Sequence, residues 1–168
     1  MLRKTIIAAI FVLVSLSLFT ASACNSQATL GGNTGGTTIK QTTIKAQLTG
    51  DSVAIPLNDV EKYINSRFLV KTATDQQSFM SYKYENVLYV RADICPPCGS
   101  ESFTLTNGTL VCDRCGTVFD AKTGAGVRGA CVKFPKISVS YEIKDGDVVM
   151  KGGDLTTAFQ NTLHPKKS

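Results

Sequence analysis

Apolar and polar side chains alternate through the middle of the chain, and this period of two predicts β-strands. The pattern is clear in Val87–Ala92 and in Ile137–Ile143, each of which reads as a strand with one buried face, and Arg67–Thr72 is strand-like. The segment 51–150 is therefore predicted to be one compact, mainly β domain with antiparallel strands.

Short polar turns separate the predicted strands and indicate how they pair. The dipeptides at 85–86, 107–108 and 145–146 are Glu-Asn, Asn-Gly and Asp-Gly. Asn-Gly and Asp-Gly favour two-residue hairpin turns, because both central residues adopt positive φ. Three hairpins are thus expected.

Two short helices are expected besides the strands. Asn58 is placed to cap a single helical turn that runs through Lys62. A second short helix is predicted over 154–163, within the segment 151–168 that is assigned as a C-terminal tail.

The N-terminus has the three-part layout of a secretory signal over residues 1–23. Arg3 and Lys4 precede an almost wholly apolar run over 6–19, and small residues lead to Cys24. The layout favours a bacterial lipoprotein signal with the lipid attached to Cys24, which predicts an exported protein anchored on the extracytoplasmic side of the cell membrane. Ordinary cleavage that leaves a free Cys24 and an uncleaved anchor helix are the alternatives.

Residues 24–50 are rich in Gly, Thr, Ser, Asn and Gln and are predicted to be a disordered tether. Loss of Arg3 and Lys4 with the signal lowers the formal charge from +5 to +3. The remaining basic residues are scattered and form no stripe interleaved with aromatic residues. Nucleic acid is therefore not expected as a partner.

The strongest chemical signal is a pair of Cys-x-x-Cys motifs. Cys95 and Cys98 are followed, after thirteen residues, by Cys112 and Cys115. A hairpin between the motifs brings both turns to one end, and four thiolates then form a tetrahedral cage suited to zinc or iron. Spacing leaves three interpretations open, namely iron, structural zinc and disulfides.

Residues behind the second motif resemble the second half of a Rieske-type iron–sulfur domain. That pattern matches, in order, Gly116, Phe119, Asp120, Thr123, Gly124 and Gly129. The resemblance implies a small Rieske-like antiparallel β domain in which two Cys-x-x-Cys turns bind the metal. The chain departs from the Rieske pattern because cysteines replace both histidine ligands and its only histidine, His164, lies in the tail.

The chain also resembles the FtrD-like membrane iron–sulfur family of bacteria. The shared features are the two Cys-x-x-Cys pairs, a Phe soon after the second, and a glycine-containing segment that ends at Cys131, within a match over about 53–135. The resemblance implies an iron–sulfur cluster, [2Fe–2S] first, and a link to ferrous iron uptake. It implies that Cys131 is a fifth ligand or a shield, whereas a buried small apolar residue is the plain alternative.

The leading hypothesis is an electron carrier, not an enzyme, that works beside a membrane-bound redox or iron-transport partner. Four thiolates predict a more negative reduction potential than the two thiolates and two imidazoles of a Rieske centre. A structural zinc-ribbon module is the alternative. A thiol–disulfide redox protein is a weaker one, since the βαβ context of thioredoxin-like proteins is lacking.

Overall fold

The computed structural model describes residues 36–72 and 75–166, which form thirteen strands and two helices. The strands are β1 (Thr38–Ile39), β2 (Thr42–Thr43), β3 (Gln47–Thr49), β4 (Ser52–Pro56), β5 (Asn65–Lys71), β6 (Gln76–Tyr84), β7 (Val87–Ala92), β8 (Phe103–Thr106), β9 (Thr109–Cys112), β10 (Val118–Asp120), β11 (Gly126–Arg128), β12 (Glu142–Lys144) and β13 (Asp147–Lys151). The helices are α1 (Leu57–Tyr63) and α2 (Gly152–Leu163).

The strands form three sheets. Their orders are β1-β8-β9-β10-β11, β12-β13-β4-β3 and β2-β5-β6-β7. Strand β2 runs parallel to β5, and the other strand pairs of the described chain are antiparallel. The predicted mainly β, antiparallel fold class is confirmed.

The three predicted hairpins are present, and their turns explain why they form. The pairs 85–86, 107–108 and 145–146 connect β6 to β7, β8 to β9 and β12 to β13. All six turn residues have positive φ, between 47° and 86°, which two-residue turns of this kind require. The Asn107-Gly108 turn places Cys112 at the end of β9, next to the first cysteine motif.

Two hydrophobic cores lie in the fold. The larger one, called the apolar core below, packs β4 to β7, β13 and both helices around aliphatic and phenylalanine side chains. Its buried members are Ile44, Val53, Ile55, Val60, Phe68, Val70, Phe79, Val90, Ala92, Val139, Val148, Met150, Leu155, Ala158 and Phe159.

The smaller one, called the cysteine core below, lies beneath the two cysteine motifs. It includes buried residues of β6 and of β8 to β10. These are Met80, Tyr82, Cys95, Phe103, Leu105, Leu110, Cys112, Phe119, Ala121 and Cys131.

The prediction of a disordered tether needs correction. Residues 36–50 are part of the fold, because β1 pairs with β8, β2 with β5 and β3 with β4. Ile44 is buried in the apolar core, so this segment contributes apolar burial although most of its residues are polar. The prediction of disorder over 24–50 is therefore wrong for 36–50. The signal segment 1–23, the lipid site Cys24 and residues up to 35 lie outside the described residues.

The C-terminal assignment also needs correction. Residues 152–163 form α2, and Leu155, Ala158 and Phe159 pack into the apolar core. Phe159 lies 5.9 Å from Phe79, measured between ring centroids. The segment assigned as a tail is thus an integral helix for most of its length.

Two local predictions differ from the structure. Helix α1 begins at Leu57 with Pro56 at the N-cap, and it has no side-chain cap there, so Asn58 lies inside the helix. In 137–143, only 142 and 143 belong to a strand, while Ser138 makes an isolated bridge to Arg91. The loop instead follows β7 because the backbone N–H of Val139 donates to the Val90 carbonyl.

Helix α2 has twelve residues, and neither helix in the described part of the chain is long and apolar enough to cross a membrane.

Candidate metal centre

The first cysteine motif forms a tight turn after β7. The backbone N–H groups of Cys98 and Gly99 donate to the Cys95 carbonyl at 3.1 and 2.8 Å, and Cys95 N–H donates to the Ser100 carbonyl at 2.8 Å. Gly99 has φ of 66°, a conformation that glycine adopts without the strain of a side chain. The turn directs Cys95 into the protein and leaves Cys98 half-buried.

The second motif repeats this hydrogen-bond pattern at the end of β9. Gly116 N–H donates to the Cys112 carbonyl at 2.9 Å, and Cys112 N–H donates to the Thr117 carbonyl at 2.9 Å. Gly116 has φ of 68°. Here too the first cysteine, Cys112, is buried and the second, Cys115, is half-buried.

The structure brings all four predicted ligands together, and Cys131, the expected fifth ligand or shield, lies beside them. The Sγ–Sγ distances are 3.9 Å for Cys95–Cys115, 3.7 Å for Cys98–Cys112 and 3.7 Å for Cys115–Cys131. The sulfurs of Cys95, Cys98, Cys115 and Cys131 all lie within 4.8 Å of one another. Cys112 is outside that mutual group, although it contacts Cys98, so five thiols share the site.

Thr117 fixes the fifth cysteine against the second motif. Its Oγ1 accepts a hydrogen bond from the Cys131 N–H at 3.2 Å and lies 3.2 Å from Cys115 Sγ. Gly129 permits this approach, because a Cβ there would lie 2.7 Å from Thr117 Cα at a φ of 117°. Thr117 is fully buried, and sequence reasoning missed it although it directly follows the Cys-x-x-Cys-Gly motif.

These distances fit a metal–thiolate centre. Metal–sulfur bonds of about 2.3 Å in a tetrahedron place neighbouring sulfurs about 3.8 Å apart, which agrees with the observed 3.7–3.9 Å. Disulfide sulfurs would lie about 2.0 Å apart, and the five cysteines of the described chain are all free thiols. The donor set is therefore suited to zinc or iron.

The protonation of the thiols depends on their surroundings. Burial raises the pKa of both Cys95 and Cys112. Burial also acts to raise the pKa of Cys115, but hydrogen bonds from Thr117 and from the neighbouring thiols outweigh it and lower that pKa to about 6. Cys115 thus favours the thiolate, whereas Cys95 and Cys112 need a cation to ionise.

The fold and the site together define a small β protein with a thiolate metal centre. The model of the family described as "Membrane iron-sulfur containing protein FtrD-like" matches residues 60–161, which is more than half of the chain. The chain therefore belongs to this family, and the predicted resemblance is confirmed. The match includes all five cysteines of the site, so an iron–sulfur cluster is the group that the family implies here.

Several solved structures are similar to part of the chain. The complex of reduced oxygenase and oxidised ferredoxin in carbazole 1,9a-dioxygenase is 22% identical, with 51% of this chain and 80% of that chain covered and a TM-score of 0.43. Sphingomonas yanoikuyae B1 ferredoxin is 16% identical, with 69% and 97% covered and a TM-score of 0.41. A putative small subunit of nitrite reductase NADPH is 15% identical, with 61% and 98% covered and a TM-score of 0.44. No curated protein matches the chain significantly.

Proposed function

We propose that the protein is a one-electron carrier that binds an iron–sulfur cluster, [2Fe–2S], through its clustered cysteines. The observation that carries the proposal is the convergence of five thiols at one end of the fold, in a chain of an iron–sulfur family. The ligands are Cys95, Cys98, Cys112 and Cys115, and Cys131 is a fifth sulfur beside them. Bound there, the cluster supplies reversible one-electron chemistry at a potential that the thiolates keep low.

The residues of the chain hold and shield the centre. Cys95, Cys112 and Cys131 are at most 3% exposed, and Phe103 and Phe119 pack in the same core. This apolar side excludes water. The opposite edge, at Cys98 and Cys115, is half-exposed and is the side from which an electron enters or leaves.

We propose further that the carrier works at a membrane surface. An exported chain with a lipid on Cys24 would hold the carrier at the extracytoplasmic face of the membrane. Its partner there would be a membrane-bound redox or iron-transport protein, in a role linked to iron acquisition. The family description as a membrane protein supports this, as does the signal-like N-terminus. No catalytic role of its own is proposed.

A single tetrahedral ion, such as structural zinc, is a second candidate. It is favoured by one observation, namely that four sulfurs lie mutually within 4.8 Å, as the corners of one tetrahedron around a single ion do. In that case the metal would contribute folding free energy, and the surface would bind a partner.

The test is the composition of the native centre. The full chain is purified anaerobically from the membranes of cells that express it, and iron, acid-labile sulfide, zinc and the visible spectrum are measured. Iron and sulfide in equal amounts, with charge-transfer bands that bleach on one-electron reduction, are expected. A colourless protein with one zinc per chain would overturn the electron-carrier proposal.

Two matched variants then assign the ligands. Cys112→Ser is expected to abolish the visible bands, because a ligand is lost. Cys131→Ser is expected to keep the bands and to shift their positions, since it alters a neighbour of Cys115. The reverse result, with the bands lost only in Cys131→Ser, would exchange the roles of these two cysteines.

A further inference from the structure

Lys136 is a lysine buried beside the cysteine site. It is 1% exposed, although lysine is almost never fully buried unless it is paired. Its backbone is fixed from both sides: its N–H donates to the Gly124 carbonyl at 2.8 Å, and its carbonyl accepts from Arg91 Nη1 at 2.8 Å. The main chain that carries this buried side chain is therefore held in place.

The ammonium group lies among neutral groups next to the site. Nζ donates to the carbonyl of Ile94, the residue before Cys95. It also lies 4.4 Å from the ring centroid of Phe119 and 5.2 Å from that of Phe103. Both rings belong to the cysteine core, so the charge lies in the wall of the metal centre.

No carboxylate pairs with this ammonium within 4 Å in the described part of the chain, where the ion pairs are Arg67–Glu101, Lys83–Glu61 and Lys122–Glu85. The one buried acid nearby is Asp93, and its oxygens accept hydrogen bonds from Gln41 and Ser78. A buried cation without a counter-charge is strongly destabilising.

The thiolate centre supplies negative charge at this place. Four thiolates carry twice the charge of the divalent ion that they surround, so the loaded site has a net negative charge. One-electron reduction of an iron–sulfur centre makes that charge more negative still. Burial lowers the pKa of Lys136 to about 8, while the charges of Cys95, Cys112, Asp93 and Cys131 act to raise it.

We propose that Lys136 is the buried counter-charge of the cysteine centre, that it strengthens metal retention and that it favours the reduced state. The part about the reduced state rests on the proposed electron-carrier function. The part about metal retention holds for zinc and iron alike, because both form negatively charged thiolate centres.

The test compares Lys136→Met, Lys136→Gln and Lys136→Arg in the full chain. Met removes the charge and keeps an unbranched side chain, Gln removes the charge and keeps a donor for the Ile94 carbonyl, and Arg keeps the charge. Lys133→Met is the matched control, since Lys133 is exposed in the same loop. Zinc affinity is measured by competition with a chromophoric chelator at constant pH and salt.

Met and Gln are expected to weaken zinc binding at least tenfold, while the Arg variant and the Lys133 control stay within about threefold of the wild type. In the iron–sulfur form, Met and Gln should lower the midpoint potential by at least the ~59 mV that a tenfold shift represents for one electron. The test requires only one of the two neutral variants to fold, and circular dichroism checks which of them does.

Thermal unfolding gives a readout that a merely structural lysine would not produce. Without metal, Lys136→Met should raise the unfolding midpoint, because an unpaired buried charge is removed. With metal bound, the same change should lower it. This reversal of sign is expected only if the metal centre is the counter-charge.

The outcomes separate this inference from the proposed function. Unchanged zinc affinity and unchanged potential in both neutral variants would overturn the role of Lys136 and leave the electron carrier intact. Weaker zinc binding in a chain that takes up no iron–sulfur cluster would support the counter-charge and overturn the electron carrier. Destabilisation by Met of equal size with and without metal would reduce Lys136 to a packing residue.

Discussion

The two cores of the molecule are stabilised in different ways. The apolar core has fifteen buried hydrophobic residues and no cysteine, and its aromatic rings pack on one another, with Phe68 and Phe79 5.7 Å apart. The cysteine core has ten, of which three are cysteines. The free energy gained by hydrophobic burial is roughly proportional to the apolar area removed from water, so burial stabilises the apolar core more than the cysteine core.

The buried cations lie on the side of the cysteine core. Arg91 is 2% exposed and Lys136 is 1% exposed. Arg91 donates to the carbonyls of Lys122, Thr123 and Lys136, to Ser138 Oγ and to Tyr82 Oη. From its small size, free thiols and buried positive charge we expect this half of the fold to depend on a bound metal for its stability, and the apolar core not to.

The largest expected effect is that of removing the metal. Chelation should destabilise β8 to β11 and speed their amide hydrogen exchange, while β5 to β7 keep their protection. The physical reason is that metal binding contributes folding free energy, about 10 kcal/mol or more in structural zinc sites. Hydrogen exchange followed by mass spectrometry measures the protection of the two groups of strands.

Cys115→Ser should reproduce the effect of chelation without any chelator present. Uniform loss of protection through both cores, on chelation or in this variant, would show that the cores unfold as one unit. It would contradict the expectation that only the cysteine core depends on the metal.

A large effect confined to the other core is expected from Phe68→Ala. Phe68 is fully buried in the apolar core, and truncation of a buried Phe typically lowers the free energy of unfolding by about 3–5 kcal/mol. Denaturant unfolding of the metal-bound protein measures it, with Phe68→Leu as a milder control. Metal content and visible spectrum should stay unchanged, and loss of the metal in this variant would show that the cores are not separable.

The cysteine site could be predicted from the sequence because its signals are local. Each Cys-x-x-Cys turn is set by a few hydrogen bonds and one glycine with positive φ, at Gly99 and Gly116. The Asn107-Gly108 turn between them is a two-residue signal. Local rules of this kind need no knowledge of distant residues, and they account for the predicted hairpins and for the convergence of the four cysteines.

The remaining features depend on long-range contacts that no local pattern encodes. Residues 36–50 are polar, yet Gly36 N–H donates to Asn107 Oδ1, and Thr38 contacts Thr106, at separations of about seventy residues. Lys136 is buried by the rings of Phe103 and Phe119 and by the Ile94 carbonyl, which come from three other segments of the chain. In a single sequence such a lysine looks the same as a solvated one.

A smaller effect is expected at Tyr82, which is buried in the cysteine core. Its hydroxyl donates to the Ala121 carbonyl at 2.6 Å and accepts from Arg91 Nε at 2.7 Å, and burial raises its pKa to about 12. Tyr82→Phe leaves two buried polar groups without this partner, which lowers the free energy of unfolding by about 1–3 kcal/mol.

Tyr89→Phe is the control for this prediction, because its ring stacks on Tyr82 at 5.3 Å but is only half-buried. That change should stay within about 0.5 kcal/mol of the wild type, as judged by denaturant unfolding. Equal losses in the two variants would mean that the two hydrogen bonds of the Tyr82 hydroxyl contribute nothing specific to stability.

The smallest effect is expected at Asp120, in the turn that Arg91 holds against the cysteine core. Asp120 Oδ1 accepts hydrogen bonds from the backbone N–H and the Oγ1 of Thr123, at 2.7 and 2.8 Å, and these bonds lower the pKa of the carboxyl group. Asp120→Ala should lower the free energy of unfolding by about 0.5–1 kcal/mol at pH 7, because the group is partly exposed and solvent weakens the bonds.

The pH dependence identifies the cause of this loss. A carboxyl whose pKa is lower in the folded state stabilises the fold above its unfolded pKa, and this contribution disappears as pH falls through the folded pKa. The difference between wild type and Asp120→Ala should therefore shrink in acid, while Asp120→Asn, which keeps an acceptor but no charge, should differ from Ala by an amount independent of pH. Unfolding curves of the metal-bound protein, at several pH values below neutrality over which its metal content stays constant, would show it. A difference that stays constant into acid would mean that the turn is held by its shape alone, and that the charge of Asp120 adds nothing to the wall of the cysteine core.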